Sequence, residues 1–256
     1  MKKLLAIMLC LLTVFSVSSC KKESATSSAP TLIAHAGGQI YGYRLTNSKE
    51  ALESAYKNDF RHIELDFEIT SDGEYVLLHD WESMAERMLG KSGVLTKSEF
   101  LSAEKFRDLT LLDFDALVKW LKKHNDCYII TDAKCDNYPF MDKVASIGDL
   151  KNNFIIQAYS YEEYDYAKTK GFENVLLTLY RIELNEEEVI KFAKEKNPWA
   201  ITLPQKYATE TLLKALKENN TKTYMHTIND LHTYETYQKS GLCGIYTDYF
   251  IPNHWE

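Results

Sequence analysis

The stretch Arg61–Trp81, RHIELDFEITSDGEYVLLHDW, carries the reading of the fold. It divides into an apolar strand, a tight turn at Ser71-Asp72-Gly73 and a second strand. Glu64 and Asp66 are two residues apart, so on a strand they point to one face. Two carboxylates in so apolar a strand are costly unless a cation meets them. If the strands pair antiparallel, His79 returns to about the level of Asp66. A metal-type carboxylate pair then lies within reach of a titratable imidazole.

Outward from this hairpin, apolar strand-like runs alternate with amphipathic ones. Strands are expected at Thr31–His35, Cys127–Asp132, Phe154–Tyr159, Val175–Leu179, Ala200–Leu203, Thr223–Thr227 and Ile245–Asp248. Helices are expected between them, most clearly at Phe114–His124, where Phe114, Leu117, Val118 and Leu121 recur at threes and fours. This alternation means parallel βαβ units. The two hairpin strands are too close for a parallel crossover, so one is an excursion. The remaining strands fit an α/β fold, a (β/α)8 TIM barrel, with a β-hairpin excursion. Residues 82–107 keep no single period, and are expected to form an irregular insertion with a short helix after Ser98. Function in such a barrel sits at the C-terminal strand ends. That rule selects His35, Glu64, Asp66, Asp132, Lys134, Gln157, Tyr159, His226 and Asp248.

The first residues belong to another device. Lys2 and Lys3 precede an apolar run that ends in Ser18-Ser19-Cys20, the pattern of a secretory leader. The expected organisation is a signal peptide over 1–19, a lipid-anchored tether over 20–30 and one barrel domain over 31–256. Cys20 is the expected lipidation site, and the protein is expected to be an exported bacterial membrane lipoprotein. The formal net charge of −7 becomes more negative once Lys2 and Lys3 leave, which argues against a nucleic-acid partner. Past Cys20 only Cys127, Cys135 and Cys243 remain, an odd number without zinc spacing.

IAHAGG at Ile33–Gly38, TNSKEAL at Thr46–Leu52, IELDFEITSDGEYVLLHD at Ile63–Asp80, LTLLDFDALVKWL at Leu109–Leu121 and IITDAK at Ile129–Lys134 occur in that order. In these segments the chain resembles the glycerophosphodiester phosphodiesterase family of phosphatidylinositol-phospholipase-C-like barrels. The resemblance implies metal-dependent cleavage of glycerophosphodiesters or related phospholipid headgroup diesters. It implies His35 and His79 as the catalytic pair, Glu64, Asp66 and Asp132 as ligands of Mg²⁺ or Ca²⁺, and Lys134 as a phosphate contact. Arg44 and Trp81 are further candidates for the substrate. The chain departs from the family at Ala36, where Arg is usual, and at Thr46-Asn47-Ser48, where Glu-Asn-Thr is usual. Asp132 stands where Glu is common, and His226 replaces a frequent aromatic. These changes leave open a lyase that forms a cyclic phosphate, or a binding lipoprotein with weakened catalysis.

The chemistry is coherent on its own terms. Diester cleavage needs charge neutralisation on phosphate oxygens, a base for the attacking oxygen and an acid for the leaving one. Carboxylates suit a hard divalent cation, and two imidazoles suit proton exchange near neutral pH.

Overall fold

The computed structural model describes residues 30–104 and 106–254. The expected leader and Cys20 lie outside them, as does the tether up to Pro30.

The longest strand, β2 (His62–Ile69), is buried through Phe67 and sets the architecture. β1 (Leu32–Ala34) pairs parallel with one edge of it, Ala34 opposite Ile63. β3 (Tyr75–Leu77) pairs antiparallel with its upper end, from Ile69–Tyr75 to Phe67–Leu77. β4 (Tyr128–Ala133) pairs parallel along the other edge from His62 to Phe67. The antiparallel strand therefore continues the edge that β1 leaves free beyond Ala34. The sheet goes on through β5 (Phe154–Ala158), β6 (Val175–Thr178), β7 (Ala200–Leu203), β8 (Thr223–Met225) and β9 (Gly244–Thr247). All these pairings are parallel, and β9 returns to β1. The result is the expected eight-stranded parallel barrel with one antiparallel excursion.

The helices are α1 (Lys49–Lys57), α2 (Ser83–Leu89), α3 (Lys97–Ser102), α4 (Phe114–Leu121), α5 (Asn137–Ala145), α6 (Tyr161–Thr169), α7 (Glu186–Lys196), α8 (Glu210–Glu218) and α9 (Leu231–Ser240). Those that cover the barrel start on short polar side chains. Ser48, Asp113, Asp136, Ser160, Asn185, Thr209 and Asp230 each accept a hydrogen bond from a first-turn amide. Each such cap contributes about 1 kcal/mol. The apolar stripes, Leu117 and Leu121 of α4 for example, pack on the outside of the strands in one continuous core. Burying a side chain of that size contributes about 1.5–3 kcal/mol. The barrel interior is filled separately, by Ile33, Ile130, Ile155, Leu176, Ala200, Tyr224 and Tyr246.

The insertion is more regular than its sequence. It holds two helices, where the sequence reading expects one. α2 buries Met84, Ala85, Met88 and Leu89, and Asp80 accepts from the amides of Glu82 and Met84 at its start. Gly90, left-handed at φ +63°, ends it after seven residues. With α3 and Phe100 it forms a satellite core under the β3 edge. No helix among the described residues is long and apolar enough to cross a membrane.

Candidate active site

Glu64 and Asp66 project from β2, and Asp132 stands opposite Asp66 in the β2–β4 register. One carboxylate oxygen from each lies within 4.8 Å of the others. Like charges so close need fixed partners. Glu64 Oε2 accepts from the Ala36 amide at 2.8 Å, in the turn just after β1. Ala36 adopts φ +48° there. Asn47 grips Asp66 twice, its Nδ2 donating to Oδ2 at 2.8 Å and its Oδ1 accepting from the Asp66 amide at 2.9 Å. The Tyr159 and Tyr180 hydroxyls donate to Asp132 Oδ1 at 2.6 and 2.9 Å. Lys134 Nζ donates to Asp132 Oδ2 at 2.7 Å. It also lies 2.9 Å from Asp66 Oδ1, as an ion pair not aligned for a hydrogen bond.

The electrostatics are unbalanced. Glu64 Oε1 is buried with no hydrogen-bond partner. Burial, then the charge of Asp66, pushes the Glu64 carboxyl up to about 8. Burial would raise Asp132 as well, but Lys134 and the two tyrosines hold it below its usual range. One lysine thus serves three carboxylates. An all-oxygen donor set with surplus negative charge fits a hard divalent cation, and Glu64, Asp66 and Asp132 would hold it.

His35 follows β1 directly. Its Nδ1 donates to Asp248 Oδ1 at 2.8 Å, and its Nε2 lies 4.0 Å from Glu64 Oε2. Burial acts to lower its pKa, but the Asp248 bond and the charges of Glu64 and Asp66 outweigh this and raise it to about 9. Asp248 is held in turn by Asn229 Nδ2 at 2.7 Å. His79 comes down from β3 on the same edge of β2 that β1 occupies below. Its Nδ1 donates to Asp80 Oδ2 at 2.8 Å. Both histidines are therefore tethered through Nδ1 by a carboxylate, which leaves Nε2 for chemistry. The third histidine, His226, has no such tether. Its ring lies between those of Tyr180 and Tyr246, at 5.2 and 6.1 Å, and burial pushes its pKa down to about 4.

The structure thus brings together His35, Glu64, Asp66, Asp132 and Lys134. Arg44 stands at the rim, 3.5 Å from Asp248 Oδ2 and half exposed. Trp81 is a correction. It is 5% exposed, its Nε1 donates to Ile69 O at 3.0 Å, and its ring packs edge-on against Phe100. The satellite core uses the whole indole, so no face is left to stack on a ligand. The sequence reading passed over the polar groups that hold the site. Asp248 and Tyr159 stood among the strand-end residues without an assigned partner. Asp80 next to His79 was the one pairing that adjacency alone could have given.

Among known proteins, residues 36–181 match the glycerophosphoryl diester phosphodiesterase family. No curated protein matches the sequence at a significant level. Similar solved structures include a glycerophosphodiester phosphodiesterase from Thermotoga maritima, with 21% identity and a TM-score of 0.69 over 86% of this chain and 95% of that one. A phosphodiesterase from Oleispira antarctica, in complex with the product sn-glycerol-3-phosphate, gives 18% identity and a TM-score of 0.69 over 86% and 93%. A putative glycerophosphodiester phosphodiesterase from Galdieria sulphuraria gives 12% and 0.71 over 86% and 94%. The sequence match spans more than half of the chain, and on it the protein belongs to the glycerophosphoryl diester phosphodiesterase family of phosphoric diester hydrolases.

Proposed function

We propose that the protein cleaves glycerophosphodiesters with the aid of Mg²⁺ or Ca²⁺, and that His35 and His79 exchange the protons. The observation that carries this is the pairing of a carboxylate-tethered His35 with the three-carboxylate cluster, 4.0 Å from Glu64. A bound divalent cation would neutralise charge on the phosphoryl oxygens. Lys134 adds a point charge beside them. One imidazole takes the proton from the attacking oxygen, and the other gives a proton to the oxygen that leaves. Asp248 and Asp80 keep each ring oriented through the exchange. The attacking group is water or a neighbouring substrate hydroxyl; the second route gives a cyclic phosphate first. The complex of the Oleispira relative with sn-glycerol-3-phosphate supports a glycerophosphodiester as the substrate class. The lipid anchor at Cys20, with a phospholipid-derived diester at a membrane surface, rests on the leader pattern alone.

The test is hydrolysis of glycerophosphocholine by the purified chain with Mg²⁺, Ca²⁺ or Mn²⁺, followed by phosphorus NMR. Glycerol phosphate is the expected product, with a cyclic phosphate preceding it if the hydroxyl attacks. His35→Ala and His79→Ala are each expected to lower kcat by about 100- to 10,000-fold. Full metal-dependent activity in His79→Ala would remove it from the acid–base pair. No turnover with any metal would favour a binding protein.

A further inference from the structure

The lip of the barrel mouth beside β1 and β9 carries side chains that neither the carboxylate cluster nor the two histidines use. Ile40 and Tyr43 exchange both backbone hydrogen bonds, at 2.9 and 2.8 Å, around a two-residue turn. Both turn residues are left-handed, Tyr41 at φ +51° and Gly42 at φ +82°. Such a turn favours Asn-Gly, and a bulky aromatic at positive φ is a strained choice. The Tyr41 side chain is 67% exposed at the tip, so little packing offsets the strain. Arg107 repeats the pattern, exposed and left-handed at φ +52°. Its guanidinium lies 5.7 Å from the centre of the Tyr43 ring, which packs edge-on against Phe106. Arg44 lies over the ring of Tyr249, itself 49% exposed, and Arg87 of α2 donates to the Arg44 carbonyl oxygen. These contacts join three arginines and three tyrosines into one continuous surface.

This surface lies at the catalytic end of the barrel. Tyr249 adjoins Asp248, the partner of His35, and α2 starts just past His79 and Asp80. Of the three arginines, only Arg44 has an ion-paired carboxylate among the described residues, Asp248 at 3.5 Å. Arg87 Nε is buried without a hydrogen-bond partner. Three of the chain's five arginines thus stand together in a protein of net charge −7. An anionic surface is repelled by the molecule as a whole and met by this lip. Arginine pairs well with phosphate, and tyrosine settles at the boundary between lipid headgroups and water. Protein interfaces use both residues too, but seat them in desolvated pockets. An exposed ring on a hairpin tip suits a soft headgroup layer instead.

We propose that Tyr41, Tyr43, Tyr249, Arg44, Arg87 and Arg107 form a docking surface for an anionic phospholipid bilayer, which turns the barrel mouth toward the lipid headgroups. The guanidinium groups meet lipid phosphates, and Tyr41 enters the headgroup layer. Docking of this kind needs neither turnover nor a lipid on Cys20. It weakens as salt rises, because the charges that drive it are exposed.

The experiment is hydrogen exchange, read by mass spectrometry, of the full chain mixed with vesicles of phosphatidylcholine alone or of phosphatidylcholine with phosphatidylglycerol. An apolar leader meets both vesicle types alike, so the comparison isolates the lip. Amides at 39–45 and 249–251 are expected to exchange at least about threefold more slowly on the anionic vesicles only. Those at the foot of the barrel, around Tyr128 and Trp199, should not change. NaCl at about 0.5 M should remove most of the protection. Tyr41→Asn suits a left-handed turn residue, and is expected to keep or raise Tm while losing at least about half of the protection. A tyrosine with a purely structural role would not separate the two readouts. Arg107→Asn fits its left-handed position in the same way, and should lose protection through the missing charge. Absence of slowing on the anionic vesicles would overturn the proposal. Equal slowing on both vesicle types, slowing centred on the barrel foot, or full protection in both variants would do so too.

Discussion

At the scale of single residues, seven histidines divide by their partners. His35 and His79 have carboxylates on Nδ1, and His226 has aromatic rings. His62 sits at the foot of the barrel, stacked on Tyr128 at 5.1 Å and Trp199 at 5.7 Å. Burial first, then Lys222, pushes its pKa down to about 4. Between that value and the ordinary 6.5, the unfolded chain binds a proton that the folded chain refuses. Its stabilising contribution is thus complete above about pH 6.5 and is lost as pH falls towards 4. The shift corresponds to an upper limit of about 3 kcal/mol. Urea unfolding at pH 7 and pH 4.5 should show His62→Phe losing less stability on acidification than the wild type; equal losses would refute the assignment. The residue scale also shows what sequence can convey. Glu64 and Asp66 were legible because a strand's period fixes their shared face. Asp80 adjoins His79, but Asp248 is 213 residues from His35. Only closure of the barrel between β9 and β1 brings that pair together, and no local pattern encodes it.

At the scale of elements, the barrel strands and their covering helices were legible because each keeps one period over its length. The insertion was not, for a physical reason. α2 is seven residues long and α3 six, too short for a helical period to repeat. Gly90 and Gly93, both at positive φ, reset the direction between them. Long-range anchors replace periodicity here. Asp113 is the clearest, because one residue serves three elements, two through its carboxylate and one through its backbone. It caps α4 through the Ala116 amide at 2.7 Å, and its other oxygen meets Lys97 Nζ, at the start of α3, at 3.0 Å. Its backbone forms a bridge with Val76 of β3. Lys97 is raised above its ordinary range chiefly by its bond to Asp113. Asp113→Ala removes the cap and one partner of the ion pair, and should cost about 1–3 kcal/mol. Hydrogen exchange should place the loosening in α3 and the first turn of α4, with the β4–β7 strands unchanged. Uniform loss across the barrel would mean that Asp113 supports the whole fold and not this junction.

At the scale of the whole molecule, the cluster of Glu64, Asp66 and Asp132 sets binding against stability. Three carboxylates and one lysine leave surplus negative charge inside a protein already at −7. A divalent cation that binds only the folded chain stabilises it by about 2.7 kcal/mol at a hundredfold excess over Kd. For a domain of this size that corresponds to a rise in Tm of about 5–10 °C. Chelator should remove the rise. Glu64→Gln separates the two effects, because Ala36 N can still donate to the amide oxygen while the carboxylate that a cation would draw out of this buried, largely protonated carboxyl is gone. A neutral amide in place of a carboxyl that burial already keeps largely protonated removes little charge from the metal-free protein. The metal-free variant should therefore melt at or above the metal-free wild type, and its Tm should not respond to Mg²⁺, Ca²⁺ or Mn²⁺. A wild-type Tm indifferent to all three metals would mean that Lys134 alone balances the cluster. A metal-dependent rise that survives in Glu64→Gln would place the cation away from Glu64.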